Sequence, residues 1–386
     1  MRRALPRRLP RIVAPAHHEI IASYLGRLAT LNHVDGDELW KSVSVPGPTP
    51  ARRVVTAERL SALTCRPAEH LAGALPELRA TTQHWPLFRH QPQPGCPRCD
   101  ARHPGGPVRR ILPHHRYVCT RHHHWIGPPD NDTHGPSLRG NREVIAAQRK
   151  HLHLVRRVGP GAAYDAVLTA FMICAHRWEI LRPTSGLQRQ QKIWRERSFQ
   201  LMPAGAELSS FTASKLFACL YPEAIEFAPL IATPLWRQLA ADGGDQRTRF
   251  VAEARRRLRD HDYQPQPEQD AIAHWIETDS GRPPATPPTT FAAAPGNRKP
   301  SQVGRTKQPS AERTARSAVW FAMKDRRGMG DAVLHHRTLR PVILREWSPD
   351  MQEYRGAIWN SQRTENSSNR SDQTSRSTKG DTMEYR

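Results

Sequence analysis

The chain has 386 residues, of which 58 are Lys or Arg and 36 are Asp or Glu, giving a formal net charge of +22. This excess of positive charge indicates a polyanionic partner, and no stretch approaches the roughly 18 continuous apolar residues that a membrane-spanning helix needs. The basic segment 1–15 lacks the apolar core of a secretory signal, so we expect a cytoplasmic protein whose six cysteines are thiols or metal ligands rather than disulfides.

The N-terminal region is predicted to contain an arm and two short helices. Prolines in the basic arm, residues 2–11, block regular helix. Residues 19–29 place their apolar side chains on one face at helical spacing, with Glu19 at the helix start. A second helix is predicted over 38–43. The prolines of 45–50 indicate a linker.

A helix-turn-helix is predicted over residues 56–75. Thr56 is a suitable N-cap for a helix over 57–63, and Pro67 suits the first turn of a second helix. Glu69 is favourably placed against the dipole of that second helix. An ordinary helical hairpin in a small bundle fits the same pattern, and the sequence leaves both interpretations open.

The strongest motif is a pair of metal-ligand knuckles. Cys96 and Cys99 are separated by two residues, and after nineteen intervening residues Cys119 and His122 repeat that gap. This is zinc-ribbon spacing, which can place three thiolates and one imidazole around one structural zinc ion. We predict a ribbon over 94–126 with His122 as the fourth ligand and His123 as its substitute. A segment this small could hardly fold without such a staple.

A second, mainly helical domain is predicted over residues 143–281. A basic amphipathic helix over 143–157 precedes a strongly apolar one over 162–178. Pro222, Pro229 and Pro234 are expected to separate the later helices. Those helices are predicted over residues 213–220, 223–231, 235–241 and 248–260.

The C-terminal quarter differs in composition from the rest. Residues 282–318 are rich in Pro, Thr, Ser, Lys and Arg, which is typical of a flexible linker. A small apolar accessory segment follows over 319–359, and the polar tail, 360–386, is expected to be disordered.

Basic residues cluster in several places, and a protein with such patches should bind nucleic acid in a salt-sensitive manner. The second helix of the helix-turn-helix offers few long donors, which favours contacts to the DNA backbone over base reading. The candidate DNA-binding residues are Arg66, His70, Arg109, Arg110, Arg116, Arg149, Arg156 and Arg157. Each cluster could alternatively be a solvated surface. No phosphate-binding glycine loop, Gly-x-Ser-x-Gly or kinase signature accompanies them, so an enzyme is not predicted.

Several of these segments together resemble the TniQ family of transposition proteins, in the form of its actinobacterial members. The resemblance covers roughly the first 160 residues. The segments that carry it are Leu5-Pro6-Arg7-Arg8-Leu9-Pro10, Ser23-Tyr24-Leu25, Leu75-Pro76-Glu77-Leu78, Cys96-Pro97-Arg98-Cys99, Leu112-Pro113-His114-His115-Arg116-Tyr117, Val118-Cys119-Thr120-Arg121-His122 and His124-Trp125-Ile126-Gly127.

The resemblance implies an adaptor that joins a target site or guide complex to an AAA+ ATPase and a transposase, with catalysis left to those partners. It assigns the family's zinc ligands to Cys96, Cys99, Cys119 and His122. Many relatives carry a second zinc-binding pair, but no further Cys-x-x-Cys follows His122 here. A second metal is therefore not predicted.

The fold predicted from the sequence is mainly α: a TniQ-like domain over 1–142 with an inserted zinc ribbon, then the helical domain, linker and tail. The predicted function is DNA-associated target selection or recruitment during transposition, in a nucleoid-associated, cytoplasmic protein. A zinc-stabilised helix-turn-helix transcriptional regulator is the alternative. The sequence leaves open whether the protein forms a homodimer.

Overall fold

The computed structural model describes residues 5–47, 53–79, 92–127, 134–179, 183–201, 213–265, 270–278 and 280–281. The described chain is mainly helical with short strands, as the sequence predicts. The predicted linker, accessory segment and tail, residues 282–386, lie outside the described residues.

The N-terminal part contains four short helices and one β-hairpin. The hairpin strands pair antiparallel, with Val45 opposite Val54. The elements in chain order are α1 (Ile21–Asn32), α2 (Gly36–Val43), β1 (Ser44–Pro46), β2 (Arg53–Val55), α3 (Ala57–Thr64), α4 (Ala68–Ala74) and a 3-10 turn (Pro76–Arg79).

Two predictions in this region need correction. Glu19 does not start α1, because its buried carboxylate instead pairs with Arg27 at 2.8 Å. The predicted linker 45–50 begins inside β1. Pro46 is tolerated there because it is the last residue of a short strand, where a missing N–H costs little.

The two helices predicted over residues 57–63 and after Pro67 are present as α3 and α4. Thr56 caps α3 as predicted, with its hydroxyl accepting a hydrogen bond from the Arg59 N–H at 3.3 Å. Cys65 ends α3 in the left-handed conformation, with φ of 49°. Pro67 is the N-cap of α4 rather than a residue of its first turn.

A buried carboxylate from the 3-10 turn caps the N-terminus of α1. Glu77 Oε1 accepts a hydrogen bond from the backbone N–H of Ile21 at 3.0 Å, whereas Oε2 has no hydrogen-bond partner in the part of the chain that the structure describes. Burial raises the pKa of Glu77 to about 7, and the nearby Glu19 adds to this rise. The Glu77 carboxyl group is therefore mostly protonated, and so uncharged, below about pH 7.

We expect Glu77 to make the stability of the protein depend on pH. A carboxyl whose pKa rises from 4.5 to about 7 on folding stabilises the fold most below pH 4.5 and loses that contribution as pH rises through 7. The loss is on the order of 3 kcal/mol. Relative to Glu77→Gln, the wild-type free energy of unfolding should fall by this amount in urea titrations between pH 4.5 and 8. Identical pH profiles for the two proteins would contradict this role of Glu77.

Between the two helical parts lies the ribbon, which we define as residues 92–127. Strand β3 pairs antiparallel with β4, and β5 pairs antiparallel with β6. A single turn of helix, α5, follows β3 and contains Cys99. The bounds are β3 (Gln93–Pro94), α5 (Pro97–Asp100), β4 (Arg109–Arg110), β5 (Val118–Cys119) and β6 (His124–Trp125).

The C-terminal part of the described chain is a bundle of seven helices. Five of them correspond to predicted helices, whereas α8 and α12 were not predicted. The helices are α6 (Arg142–Val158), α7 (Pro160–Glu179), α8 (Ser185–Gln200), α9 (Ala213–Ala232), α10 (Pro234–Ala241), α11 (Gly244–Leu258) and α12 (Ala271–Thr278).

Helix α9 corrects the predicted breaks at Pro222 and Pro229, because it continues through both prolines. A proline inside a helix costs about 3 kcal/mol, but burying one large apolar side chain returns about 1.5–3 kcal/mol. Most of α9 is buried in the bundle. In addition, Arg197 donates to the carbonyl oxygen of Cys219 in the turn before Pro222.

None of the described helices alone is long and apolar enough to cross a membrane. Only α9 and α10 taken together meet that test by length and composition, and they are bent by 75° at the break between them.

Two hydrophobic cores meet in the ribbon. The N-terminal core combines apolar residues of α1 to α4 with Ile111, which follows β4. The helical core combines α6 to α12 with Tyr117, Val118 and Trp125 from the β5–β6 hairpin. The cores therefore divide inside the ribbon, before Tyr117, and not at the predicted domain boundary after residue 142. Aromatic side chains of the second hairpin cause this difference, because they are buried among the helices.

Candidate metal centre

The first knuckle is built at the start of α5. Cys96 is the N-cap, and its carbonyl accepts the Asp100 N–H at 2.9 Å. Pro97 occupies the first helical position, where its missing N–H costs nothing and its fixed φ favours the turn. This single turn brings the side chains of Cys96 and Cys99 to the same side of the knuckle.

The second knuckle is the turn between β5 and β6. The His123 N–H donates to the carbonyl of Cys119 at 2.8 Å, and His123 has a left-handed φ of 55°. This tight reversal directs His122 toward the cysteines, whereas the exposed His123 lies outside the cluster. The structure thus selects His122 and not its substitute.

The four predicted ligands, Cys96, Cys99, Cys119 and His122, come together. Their ligand atoms all lie within 4.8 Å of one another and could hold one metal ion. Cys99 Sγ is 3.8 Å from Cys119 Sγ, and His122 Nδ1 is 3.4, 3.2 and 3.8 Å from the sulfurs of Cys96, Cys99 and Cys119.

These distances fit a tetrahedral ion. Tetrahedral bonds of about 2.3 Å to sulfur and about 2.0 Å to nitrogen separate two sulfurs by about 3.8 Å and a sulfur from a nitrogen by about 3.5 Å. Four protein ligands fill such a shell and leave no position for a reactive water. The arrangement is suited to a structural role.

Burial and neighbouring charges shift the pKa values of the cluster side chains. Burial raises the pKa of the Cys96 thiol to about 12, and burial together with Cys119 raises that of Cys99. Thiols in such a site lose their protons only to a cation that binds the thiolates. Desolvation and the neighbouring Arg121, followed by other cations, lower the pKa of His122, which favours the neutral ring that coordinates metal.

The first knuckle is tied to the N-terminal part through Arg110, which also forms an ion pair with Asp100. Asp100 accepts from Arg110 Nε at 3.1 Å and from the Gly95 N–H at 3.1 Å. Arg110 also donates to the His17 carbonyl at 2.5 Å. On the outer side of β4, Ile20 N–H donates to the Arg109 carbonyl at 3.0 Å. This half of the ribbon is therefore fixed to the segment that precedes α1.

The second knuckle is tied instead to the helical bundle through Gln148 of α6. Gln148 Oε1 accepts the backbone N–H groups of Tyr117 and Val118 at 2.8 and 2.9 Å, and its Nε2 donates to the His115 carbonyl at 2.8 Å. Trp125 Nε1 also donates to the Ser214 hydroxyl at 3.0 Å. The metal ligands thus join two hairpin halves that belong to different cores.

Replacing Gln148 should weaken the attachment of the second knuckle. In Gln148→Leu, two buried backbone N–H groups and one carbonyl lose their partner, and each such loss costs about 1–3 kcal/mol. We expect an increase of at least tenfold in amide hydrogen exchange at Tyr117 and Val118. The matched variant Gln188→Leu, on the exposed surface of α8, should leave exchange there unchanged. Equal exchange in both variants would show that Gln148 does not hold the hairpin.

The predicted DNA-binding residues of α4 and the ribbon have different environments. His70 and Arg116 are exposed, whereas Arg66 and Arg109 are half-buried. Arg110 is 8% exposed and pairs with Asp100. Its prediction as a DNA contact is corrected, because a buried guanidinium already paired with a carboxylate is not accessible to a phosphate.

The three predicted residues of α6, Arg149, Arg156 and Arg157, are exposed. The neighbouring Lys150 forms an ion pair with Glu226 of α9. Arg149 and Arg157 line a cleft of about 320 Å³ between α6 and α9 that also contains Glu226. Arg156 lies outside the lining of that cleft.

The sequence-based set of DNA-binding candidates did not include five exposed arginines, although the knuckle spacing locates two of them, Arg98 and Arg121. Arg98 lies between the first two ligands, Arg121 lies between the last two, and Arg102 follows α5. Arg139 and Arg142 precede the body of α6. All five are exposed. In a turn that directs its cysteines inward, the long side chains between the ligands lie on the outside. The ligand spacing therefore predicts that Arg98 and Arg121 are exposed.

No family model and no curated protein matches the chain. No solved structure matches it either.

Proposed function

We propose that this protein is a zinc-stapled, DNA-associated adaptor that acts in target selection or recruitment during DNA transposition. The observation that carries DNA association is the set of exposed arginines on the ribbon and α6. Arg98, Arg102 and Arg121 surround the metal ligands. Between Cys96 and Gly127 the sequence has one acidic residue, Asp100, and it forms an ion pair with Arg110.

Zinc is the proposed metal because of the donor set. Three thiolates and one imidazole at tetrahedral separations suit zinc, whereas magnesium and calcium prefer oxygen ligands. The ion is proposed to be structural. Catalysis is assigned to partner proteins and not to this chain.

The adaptor role is supported by the TniQ-like segments of the sequence. The proposed partners are DNA, an AAA+ ATPase and a transposase, in a nucleoid-associated protein of the cytoplasm. Placing DNA on the ribbon and α6 leaves other surfaces of the molecule available for protein partners.

The alternative, a helix-turn-helix regulator that binds an operator alone, is less well supported. A recognition helix needs side chains that reach base edges. Helix α4 has seven residues, and its exposed charged or imidazole side chains are Glu69 and His70. Arg66, which precedes it, is half-buried. This surface offers little for reading a base sequence.

A binding titration with random-sequence duplex DNA tests DNA association. For a protein that contacts phosphates, the logarithm of the association constant falls linearly with the logarithm of salt concentration, by about 0.9 per contact. We expect at least four contacts and little preference among sequences. No binding at low salt, or binding that is insensitive to salt, would contradict DNA association. Tight binding to one operator sequence would favour the regulator.

Affinity capture from the native host tests the adaptor role. The tagged full chain should retain an AAA+ ATPase and a transposase after nuclease treatment, which removes DNA-bridged proteins. Recovery of neither protein from cells in which both are expressed would overturn the adaptor role and leave the DNA-binding result unaffected.

A further inference from the structure

A straight stripe of arginines follows the outer surface of α6. Arg142, Arg149 and Arg156 are each seven residues apart and are all exposed. Seven residues turn an α-helix through about 700°, so the three side chains lie within about 40° of one line. At about 1.5 Å per residue, the stripe is about 21 Å long. His153, also exposed, lies on the same line.

The other arginine group surrounds the metal ligands. Arg98 and Arg121 are the exposed arginines inside the two knuckles, and Arg102 N–H donates to the Cys99 carbonyl at 3.3 Å, one turn after that ligand. Because the knuckles bring Cys99 and Cys119 to 3.8 Å, the three arginines are held around one small centre.

Arg139 connects the two groups. An antiparallel bridge joins Ser137 to His124, and the Leu138 N–H donates to the His123 carbonyl at 2.7 Å. Arg139 therefore emerges beside the second knuckle, and α6 begins three residues later at Arg142. The exposed arginines continue from the metal ligands to the first turn of α6.

The arginines of the two groups, together with Arg139, are seven exposed residues. Among the described residues, none of the seven forms an ion pair: Arg98, Arg102, Arg121, Arg139, Arg142, Arg149 and Arg156. By contrast, Lys150 pairs with Glu226, and Arg256 and Arg257 pair with Glu253. Unpaired guanidinium groups in a row suit a linear series of phosphates.

We infer that these seven arginines form one continuous track for the sugar-phosphate backbone of duplex DNA, running from the metal ligands along α6. The inference rests on the proposed function and assigns its DNA contacts to the ribbon and α6 instead of α4. The stripe on α6 alone spans about six phosphates of one strand, at about 3.4 Å of duplex axis each.

A membrane surface fits this track less well than DNA. A helix that lies on a lipid surface inserts large apolar side chains beside its cations. The large apolar residues exposed in the described chain are Leu5, Val34, Ile193, Phe199 and Leu235, and none belongs to the ribbon or α6. The track offers charge alone, which is what a phosphate backbone requires.

The test compares three triple variants of the full chain. The helix variant combines Arg142→Ala, Arg149→Ala and Arg156→Ala, and the ribbon variant combines Arg98→Ala, Arg102→Ala and Arg121→Ala. The control removes the same charge from exposed positions on α2 and α8, as Lys41→Ala, Arg189→Ala and Lys192→Ala. Affinity for a random-sequence duplex is measured from low to moderate salt. Metal content and thermal unfolding confirm that each variant is folded.

Each track variant should reduce the salt slope by about 3, at about 0.9 per lost contact, while the control keeps the wild-type slope. Lysine at the same positions should restore most of that slope. Equal slopes in the wild type, track and control variants would overturn the track but not DNA association. An equal loss of binding in the helix, ribbon and control variants would likewise overturn the track but not DNA association. A wild-type chain that does not bind DNA would overturn the proposed function and the track together.

Discussion

Replacing Cys99 with serine is expected to release the metal and separate the two hydrophobic cores of the protein. Cys99 lies within 3.8 Å of the ligand atoms of Cys119 and His122, so its loss removes a ligand that both knuckles contact. Structural zinc sites contribute on the order of 10 kcal/mol of binding free energy to folding. The first knuckle is fixed to the N-terminal core and the second to the helical core. A metal bound by the four ligands would join the two knuckles, in addition to the hydrogen bonds from Gln93 of β3 to the carbonyls of Ile126 and Gly127.

Hydrogen exchange followed by mass spectrometry measures this separation. In Cys99→Ser, amides of the ribbon should lose most of their protection, whereas α7 and α9, whose contacts lie within the helical core, should keep theirs. Heating should show two transitions in place of one. The control is Cys65→Ser, at an exposed cysteine outside the metal cluster. If the ribbon amides of Cys99→Ser exchange as slowly as those of the wild type, a metal at this site does not hold the ribbon together.

The second large effect is expected from Arg27→Met. Two of the three guanidinium nitrogens, Nε and Nη2, donate to the Glu19 carboxylate at 2.8 Å, and the side chains of Arg27 and Glu19 are 1% and 0% exposed. Arg27 Nη1 also donates to the Pro104 carbonyl of the ribbon at 2.9 Å. Methionine leaves a buried carboxylate without its cation, which costs about 3–5 kcal/mol. Urea unfolding at pH 7 measures the loss.

Two further variants identify the cause of that loss. Glu19→Gln combined with Arg27→Met removes the buried charge, so the double variant should be more stable than Arg27→Met alone. Arg8→Met, in the exposed part of the arm, should change the free energy of unfolding by less than about 0.5 kcal/mol. If Arg27→Met is as stable as Arg8→Met, the ion pair does not stabilise the fold.

The metal ligands could be predicted because their chemistry is local. Two residues between ligands are enough to fix a knuckle, and three cysteines and a histidine at this spacing are typical of a zinc site. The choice between His122 and His123 depended on the turn after Cys119, whose left-handed residue is His123. The start of α3, predicted from the N-cap Thr56, was likewise local.

Buried polar contacts account for much of what the sequence did not show. Helix α8 was not predicted because its buried face contains Gln190, Gln191 and Arg197, so hydrophobic periodicity is weak there. Arg110 was interpreted as a DNA contact because its partner Asp100 is ten residues away in sequence and joins it only in the fold. The position of Arg27 on the apolar face of α1 does indicate that its side chain is buried.

The most direct test of the structural metal centre is a zinc K-edge X-ray absorption spectrum of the purified full chain. One zinc per chain is expected, with three sulfurs at about 2.3 Å and one nitrogen at about 2.0 Å. Three sulfurs and one nitrogen around a single zinc correspond to Cys96, Cys99, Cys119 and His122 as its ligands. A chain that purifies folded without metal, or a zinc with a bound water in place of one ligand, would contradict the closed structural centre.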